Sequence, residues 1–159
     1  MATRLLLLFA LCVLPAIASA QFYGNPFLVQ GRVYCDTCRA GFETSVTKYL
    51  AGARVKIECR DRVTLRLKYS IGGVTDSTGT YAISVTGDRK EDMCDAMLVG
   101  SPDPECSVPD RGRDRARVIL TRYNGMINDT RFANAMGFLQ RKPLGCCTEL
   151  LKTYLETDS

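Results

Sequence analysis

An all-β domain stapled by disulfides and finished by one short helix is the fold this 159-residue chain predicts. Three observations point there. Short stretches alternate apolar and polar residues, and turn-forming residues separate them at the spacing of a β-sandwich or barrel of about six or seven strands. Seven cysteines follow a segment that reads as an export leader, which is the usage of an oxidising compartment. Only the final stretch, Cys147 to Leu155, places apolar residues at helical spacing, with Leu150, Leu151, Tyr154 and Leu155 on one side.

Taken in order, Met1 to Ala20 reads as a signal peptide. Arg4 gives the positive start, Leu5 to Leu14 the apolar run, and Ala18-Ser19-Ala20 the small-residue cleavage site. That run is shorter than the roughly 20 apolar residues a membrane span needs, so the reading is a soluble, exported product. The mature domain is then 21–159, which is 139 residues and one core's worth of chain.

Phe27 to Tyr34 is the first strand, with Val29, Gly31 and Val33 to one side and Gln30, Arg32 and Tyr34 to the other. Ala40 to Thr47 reads as an extended loop and Leu50-Ala51-Gly52 as a turn. Ala53, Val55, Ile57 and Cys59 alternate with Arg54, Lys56 and Glu58, a half-buried strand. Val63 to Ile71 repeats the pattern, and Gly72-Gly73 is expected to end it. Asp76 to Gly79 predicts a turn with glycine at positive φ, leading into a strand carrying Tyr81, Ile83 and Val85. Met93 to Val99 and Ala116 to Arg122 complete the strands. The proline-bearing segment Gly100 to Arg113 and the polar segment Tyr123 to Lys142 are expected to be irregular.

The mature cysteines are Cys35, Cys38, Cys59, Cys94, Cys106, Cys146 and Cys147, since Cys12 leaves with the leader. Cys35-x-x-Cys38 could be a redox centre, half a zinc site or two anchors for separate disulfides. Export favours disulfides. The chain has no histidine, no second C-x-x-C and no βαβ context, which argues against zinc and against a thioredoxin-like role. No metal or other cofactor is expected. Seven is odd, so one thiol stays free or links two molecules, and spacing alone leaves the pairing open.

The ten residues Gln30-Gly31-Arg32-Val33-Tyr34-Cys35-Asp36-Thr37-Cys38-Arg39 resemble the signature of the pollen Ole e I (olive major allergen and extensin-like) family, and Ala40 to Thr44 looks like its usual continuation. The resemblance suggests a grass-type, pollen-specific secreted member. It implies Cys35–Cys106, Cys38–Cys147 and Cys59–Cys94, leaving Cys146 as the departure. It brings no agreed biochemical activity; it implies an extracellular role in pollen hydration, germination or tube growth, and incidental allergenicity. Family members usually read Asn-Pro-Leu-Gly-Phe where this chain has Asn134-Ala135-Met136-Gly137-Phe138. The order Gly31-x-Val33, Ala53-x-Val55, Thr75-Asp76-x-x-Gly79-x-Tyr81 also resembles transthyretin-like Greek-key sandwiches.

Without Arg4 the mature chain carries 20 basic and 17 acidic side chains, a net +3. That mild excess does not argue for nucleic acid. Lacking histidine, the chain can build neither a Ser-His-Asp nor a Cys-His nucleophile. The enzymatic alternative is a carbohydrate-active hydrolase with paired carboxylates, Glu91 with Asp92 or Asp103 with Glu105, read as acids of charged, exposed loops. The chain is therefore taken as a non-enzyme. Binding has one candidate site. Arg111, Arg113, Arg115 and Arg117 would share a face on an extended segment, where guanidinium forks suit carboxylates. Expected partners are a receptor ectodomain or an acidic cell-wall polysaccharide, with no nucleic acid and no membrane insertion. Asn128-Asp129-Thr130 is the one permitted N-glycosylation sequon.

Overall fold

The computed structural model describes residues 24–157; the leader at Met1 to Ala20 lies outside them. Its strands are β1 (Phe27–Asp36), β2 (Lys48–Tyr49), β3 (Arg54–Asp61), β4 (Leu67–Val74), β5 (Thr80–Val85), β6 (Asp92–Gly100), β7 (Val108–Pro109), β8 (Arg115–Val118), β9 (Thr130–Phe132) and β10 (Met136–Leu139). Among the described residues one helix, α1 (Cys147–Thr157), follows them. They form two sheets. Strands β4, β3, β6 and β8 make one antiparallel sheet in that order.

The other sheet is built around β1, whose two halves have different neighbours. Its first half lies between antiparallel β5 and parallel β9. Its second half lies between antiparallel β2 and parallel β10, with β7 beyond β10. The alternation of β1 follows from this. Phe27, Val29 and Val33 face the core, but Tyr34, Cys35 and Asp36 are all buried because both faces are covered there. Two glycines of this sheet permit close approaches. A Cβ at Gly31 would sit 2.3 Å from the Tyr81 hydroxyl, and one at Gly137 would sit 2.7 Å from the Tyr34 ring. The core between the sheets is Phe27, Val29, Val33, Val55, Ile57, Tyr81, Ile83, Ala96, Met136 and Phe138, joined by the disulfide-bonded cysteines.

Four expectations are corrected. Val63 to Leu65 is a hairpin turn, not strand. Asp61 Oδ1 accepts the Val63 and Thr64 N–H groups, and Leu65 takes φ +58°. The turn leaves Val63, Leu65 and Leu67 exposed. Gly72-Gly73 does not end β4, because strand backbone passes over Ile83 at Gly73, where a Cβ would approach to 2.7 Å. Strand β8 stops at Val118, since the carbonyls beyond it are taken by arginine and by a turn, as described below. Finally, the segment read as irregular supplies β9 and β10, both parallel to β1. Helix α1 forms as expected, with Tyr154 edge-on to Phe42 at 5.6 Å between ring centres. Leu155 is exposed.

Candidate functional site

The C-x-x-C turn is a structural anchor. Asp36 is fully buried, and its carboxylate accepts the Cys38 N–H at 3.2 Å and the Gly41 N–H at 2.7 Å. This Asx-type capping turns the chain and lets Arg39 adopt φ +55°. Thr37 closes the loop by donating its hydroxyl to the Val46 carbonyl. Cys35 and Cys38, held on opposite sides of the turn, reach different partners. The disulfides are Cys35–Cys106, Cys38–Cys147 and Cys59–Cys94. The last joins directly opposed residues of β3 and β6. Cys146 is free and exposed, at the start of α1. Among the described residues no group of three His, Cys, Asp or Glu side chains could hold a metal ion.

The four arginines do not share a face. Asp110 to Arg113 is a turn, closed by the Arg113 N–H to the Asp110 carbonyl, and Gly112 takes φ +96°. The extended segment that would align Arg111 and Arg113 with the others is absent. Only Arg115 and Arg117 lie on β8, on its outer face, with Ala116 and Val118 turned inward. Arg117 is already held by Asp95, its Nε 2.6 Å from Oδ1, and Arg115 lies 3.7 Å from Asp114.

Of the candidate acids, Glu91 and Glu105 are exposed outside the strands as expected and Asp103 is half-exposed in a loop, while Asp92 departs from expectation. Asp92 opens β6 and is only 8% exposed. Lys68 Nζ lies 2.9 Å from one of its oxygens and Arg89 3.9 Å from the other. Glu105 pairs with Arg141, and Asp103 Oδ1 caps the Glu105 N–H. Elsewhere carboxylates are held below their usual range. In Glu58 the hydrogen bond from Lys56 leads, aided by Arg60 and opposed by burial. In Asp61 and Asp76 turn N–H groups and threonine hydroxyls do the same.

A family model described as "Pollen protein Ole e 1 like" matches residues 25–155. The chain belongs to the Ole e 1-like pollen protein family. It is 49% identical over 149 residues to Protein DOWNSTREAM OF FLC of Arabidopsis thaliana, covering 94% of this chain and 91% of that one. Pollen-specific protein C13 of Zea mays is 46% identical over 151 residues, covering 94% and 89%. The crystal structure of the major plantain pollen allergen Pla l 1 superposes with a TM-score of 0.68 at 31% identity, covering 76% of this chain and 99% of that one. The Ole e 1-like signature thus coincides with the part of β1 that builds the anchor.

The opposite end of this Ole e 1-like domain holds a residue that sequence reasoning missed. Arg131, in β9, is 3% exposed and has no carboxylate partner among the described residues. Its guanidinium donates to the carbonyls of Ile119, Thr121, Asn128 and Thr130 and lies 4.9 Å from the centre of the Phe27 ring. Arg122 covers the same ring at 4.3 Å and pairs with Asp129 at 2.9 Å. Here arginines supply the donors that a longer β8 would have supplied. The signal available in the sequence was the Arg131-Phe132 pair of β9, directly after the sequon. Asn128 itself is exposed, and its Oδ1 accepts the Thr130 N–H at 2.8 Å.

Proposed function

We propose that this protein is exported and works in the extracellular space or cell wall by binding rather than catalysis. Its role is that of an interaction or wall-associated factor in pollen hydration, germination or tube growth, carrying a glycan on Asn128 and recognised incidentally as an allergen. One observation supports this reading most: the buried and strand acids are committed to turns and ion pairs, while several cations have no carboxylate partner. Asp61 and Asp76 cap turns, while Glu58, Asp92 and Asp95 are ion-paired. Arg62, Lys90, Arg111 and Arg113 have no carboxylate partner among the described residues. A glycoside hydrolase needs a carboxylic acid held away from compensating charge; the one buried candidate, Asp92, instead lies against Lys68 and Arg89.

The partner this surface suits is anionic, an acidic wall polysaccharide or an acidic patch of a receptor ectodomain. The test is retention of the immobilised, glycosylated protein against a panel of pectins and a pollen-surface extract. Salt-sensitive retention of either supports the reading. Retention of neither overturns it.

A further inference from the structure

The unpaired cations are not evenly spread. Arg62 and Lys90 line one cleft of about 180 Å³ together with Arg89, Asp92, Arg117 and Ile119. The cleft lies where the β3–β4 hairpin turn, the 87–91 turn and the end of β8 meet. That turn is fixed: the Arg89 N–H donates to the Leu120 carbonyl at 2.7 Å, and Asp88 accepts the Arg122 N–H at 3.0 Å. Arg89 is fixed too. Its guanidinium lies 4.1 Å over the Tyr69 ring and donates to the Thr86 carbonyl at 3.0 Å, while its buried Nε has no partner.

The charge count favours an anion. Four cationic side chains line the cleft against one carboxylate, and that carboxylate is already matched by Lys68 at 2.9 Å. Arg117 is committed to Asp95 and contributes field rather than a free donor. Arg62 and Lys90 are the free donors. The volume is below the roughly 300–1,000 Å³ of sites that enclose a whole small molecule, so it suits one charged unit of something larger. The rim is apolar: Ile119 is half exposed, and Tyr123, 77% exposed, stands 4.9 Å from Lys90 Nζ. Tyr123 also borders a second depression across the same turn, lined by Gly87, Asp88 and Arg122. Free inorganic anions have no use for such a rim. A pyranose ring bearing a carboxylate does, because its C–H face can lie on Tyr123 or Ile119 while the carboxylate meets Arg62 and Lys90.

We propose that this cleft is a subsite for a uronic-acid residue of an unesterified acidic polysaccharide, with Arg62 and Lys90 as its carboxylate donors. The proposal rests on the polysaccharide form of the reading above and names the place where it acts.

The test is calorimetric titration of the intact secreted protein, at physiological salt, with an unesterified oligogalacturonate. Its methyl ester and inorganic phosphate serve as comparison probes. Arg62→Ser/Lys90→Ser removes two exposed side chains that no carboxylate holds, so the fold should be untouched. The expected results are binding by the parent, at least a tenfold loss in the double variant, loss on esterification, and phosphate competing only weakly. Lys48→Ser/Lys142→Ser, the same change in net charge at the other end of the molecule, should bind within twofold of the parent. Undiminished binding by Arg62→Ser/Lys90→Ser, or equal loss in both double variants, overturns the subsite and leaves the polysaccharide reading intact. Phosphate competing as well as the oligomer overturns the uronate assignment. No binding by the parent, alongside retention of a pollen-surface protein, overturns both the subsite and the polysaccharide form of the reading.

Discussion

The two ends of β1 are secured by different chemistry. At the C-terminal end, Cys35 and Cys38 are covalently tied to Cys106 and Cys147, and a buried carboxylate holds the turn between them. At the N-terminal end β1 itself carries no disulfide among the described residues; the Cys59–Cys94 bond there, whose Cys94 lines the cationic cleft, ties β3 to β6 in the facing sheet. Phe27 is capped by two guanidinium groups, and Arg131 gathers four carbonyls. Covalent ties limit the unfolded chain as well as the folded one, whereas a hydrogen-bonded guanidinium acts only in the folded state. The stapled end is therefore scaffold. The arginine-held end carries the sequon and the cationic cleft, and is the end that has its groups free to meet a partner.

Removing the tie between the first and fifth mature cysteines, as Cys35→Ala/Cys106→Ala, should produce the largest effect. A closed loop of this length is worth about 4 kcal/mol in the chain-entropy model, read as a lowered denaturant midpoint. Arg131→Met tests the other end. It removes the donors to the part-buried carbonyls of Ile119 and Thr121 and should cost about 2 kcal/mol. An effect near zero would mean that water satisfies those carbonyls and that the two ends are less different than described. Gly31→Ala places a methyl against Tyr81 and should cost about 1–3 kcal/mol by overpacking, with only partial relief from Tyr81→Phe, because ring carbons would still stand 2.6 and 2.9 Å away.

Titration should separate the two limits of stability. Glu58, Asp61 and Asp76 have carboxyls held below their ordinary values. Their contribution is present in full above the unfolded carboxylate range and is lost as pH falls through the lower folded values. Glu58→Gln should shallow that acid limb in equilibrium unfolding. Tyr81 is pushed upward by burial. Its contribution is complete below the ordinary tyrosine value of 10.0 and declines as pH rises beyond it, so Tyr81→Phe should flatten the alkaline limb. Asn128→Gln is the smallest perturbation: one glycan mass disappears from the secreted protein, and unfolding stays within about 0.5 kcal/mol of the parent.

The sequence revealed the β architecture because alternation is a local signal, carried whole by β3, β5 and β6. The turn at Asp76 to Gly79 was legible for the same reason. Strands β9 and β10 were not, since they are three and four residues long and exist only through parallel pairing with a strand about 100 positions earlier. Val63 to Leu65 alternates well enough to pass for strand, but Asp61 captures its N–H groups first. The arginine run failed as a binding face because Gly112 breaks the extension that its spacing assumed. The cationic cleft was invisible: Arg62, Lys90 and Arg117 come from three separate elements, and nothing in their neighbourhoods marks them as a set.

The contrast between scaffold end and binding end is tested most directly by hydrogen–deuterium exchange of the intact protein with and without an unesterified oligogalacturonate. Added protection at residues 87–93 and 117–123, with none at residues 33–41, is the predicted result. Protection centred on the C-x-x-C turn, or unchanged exchange throughout, would contradict the account.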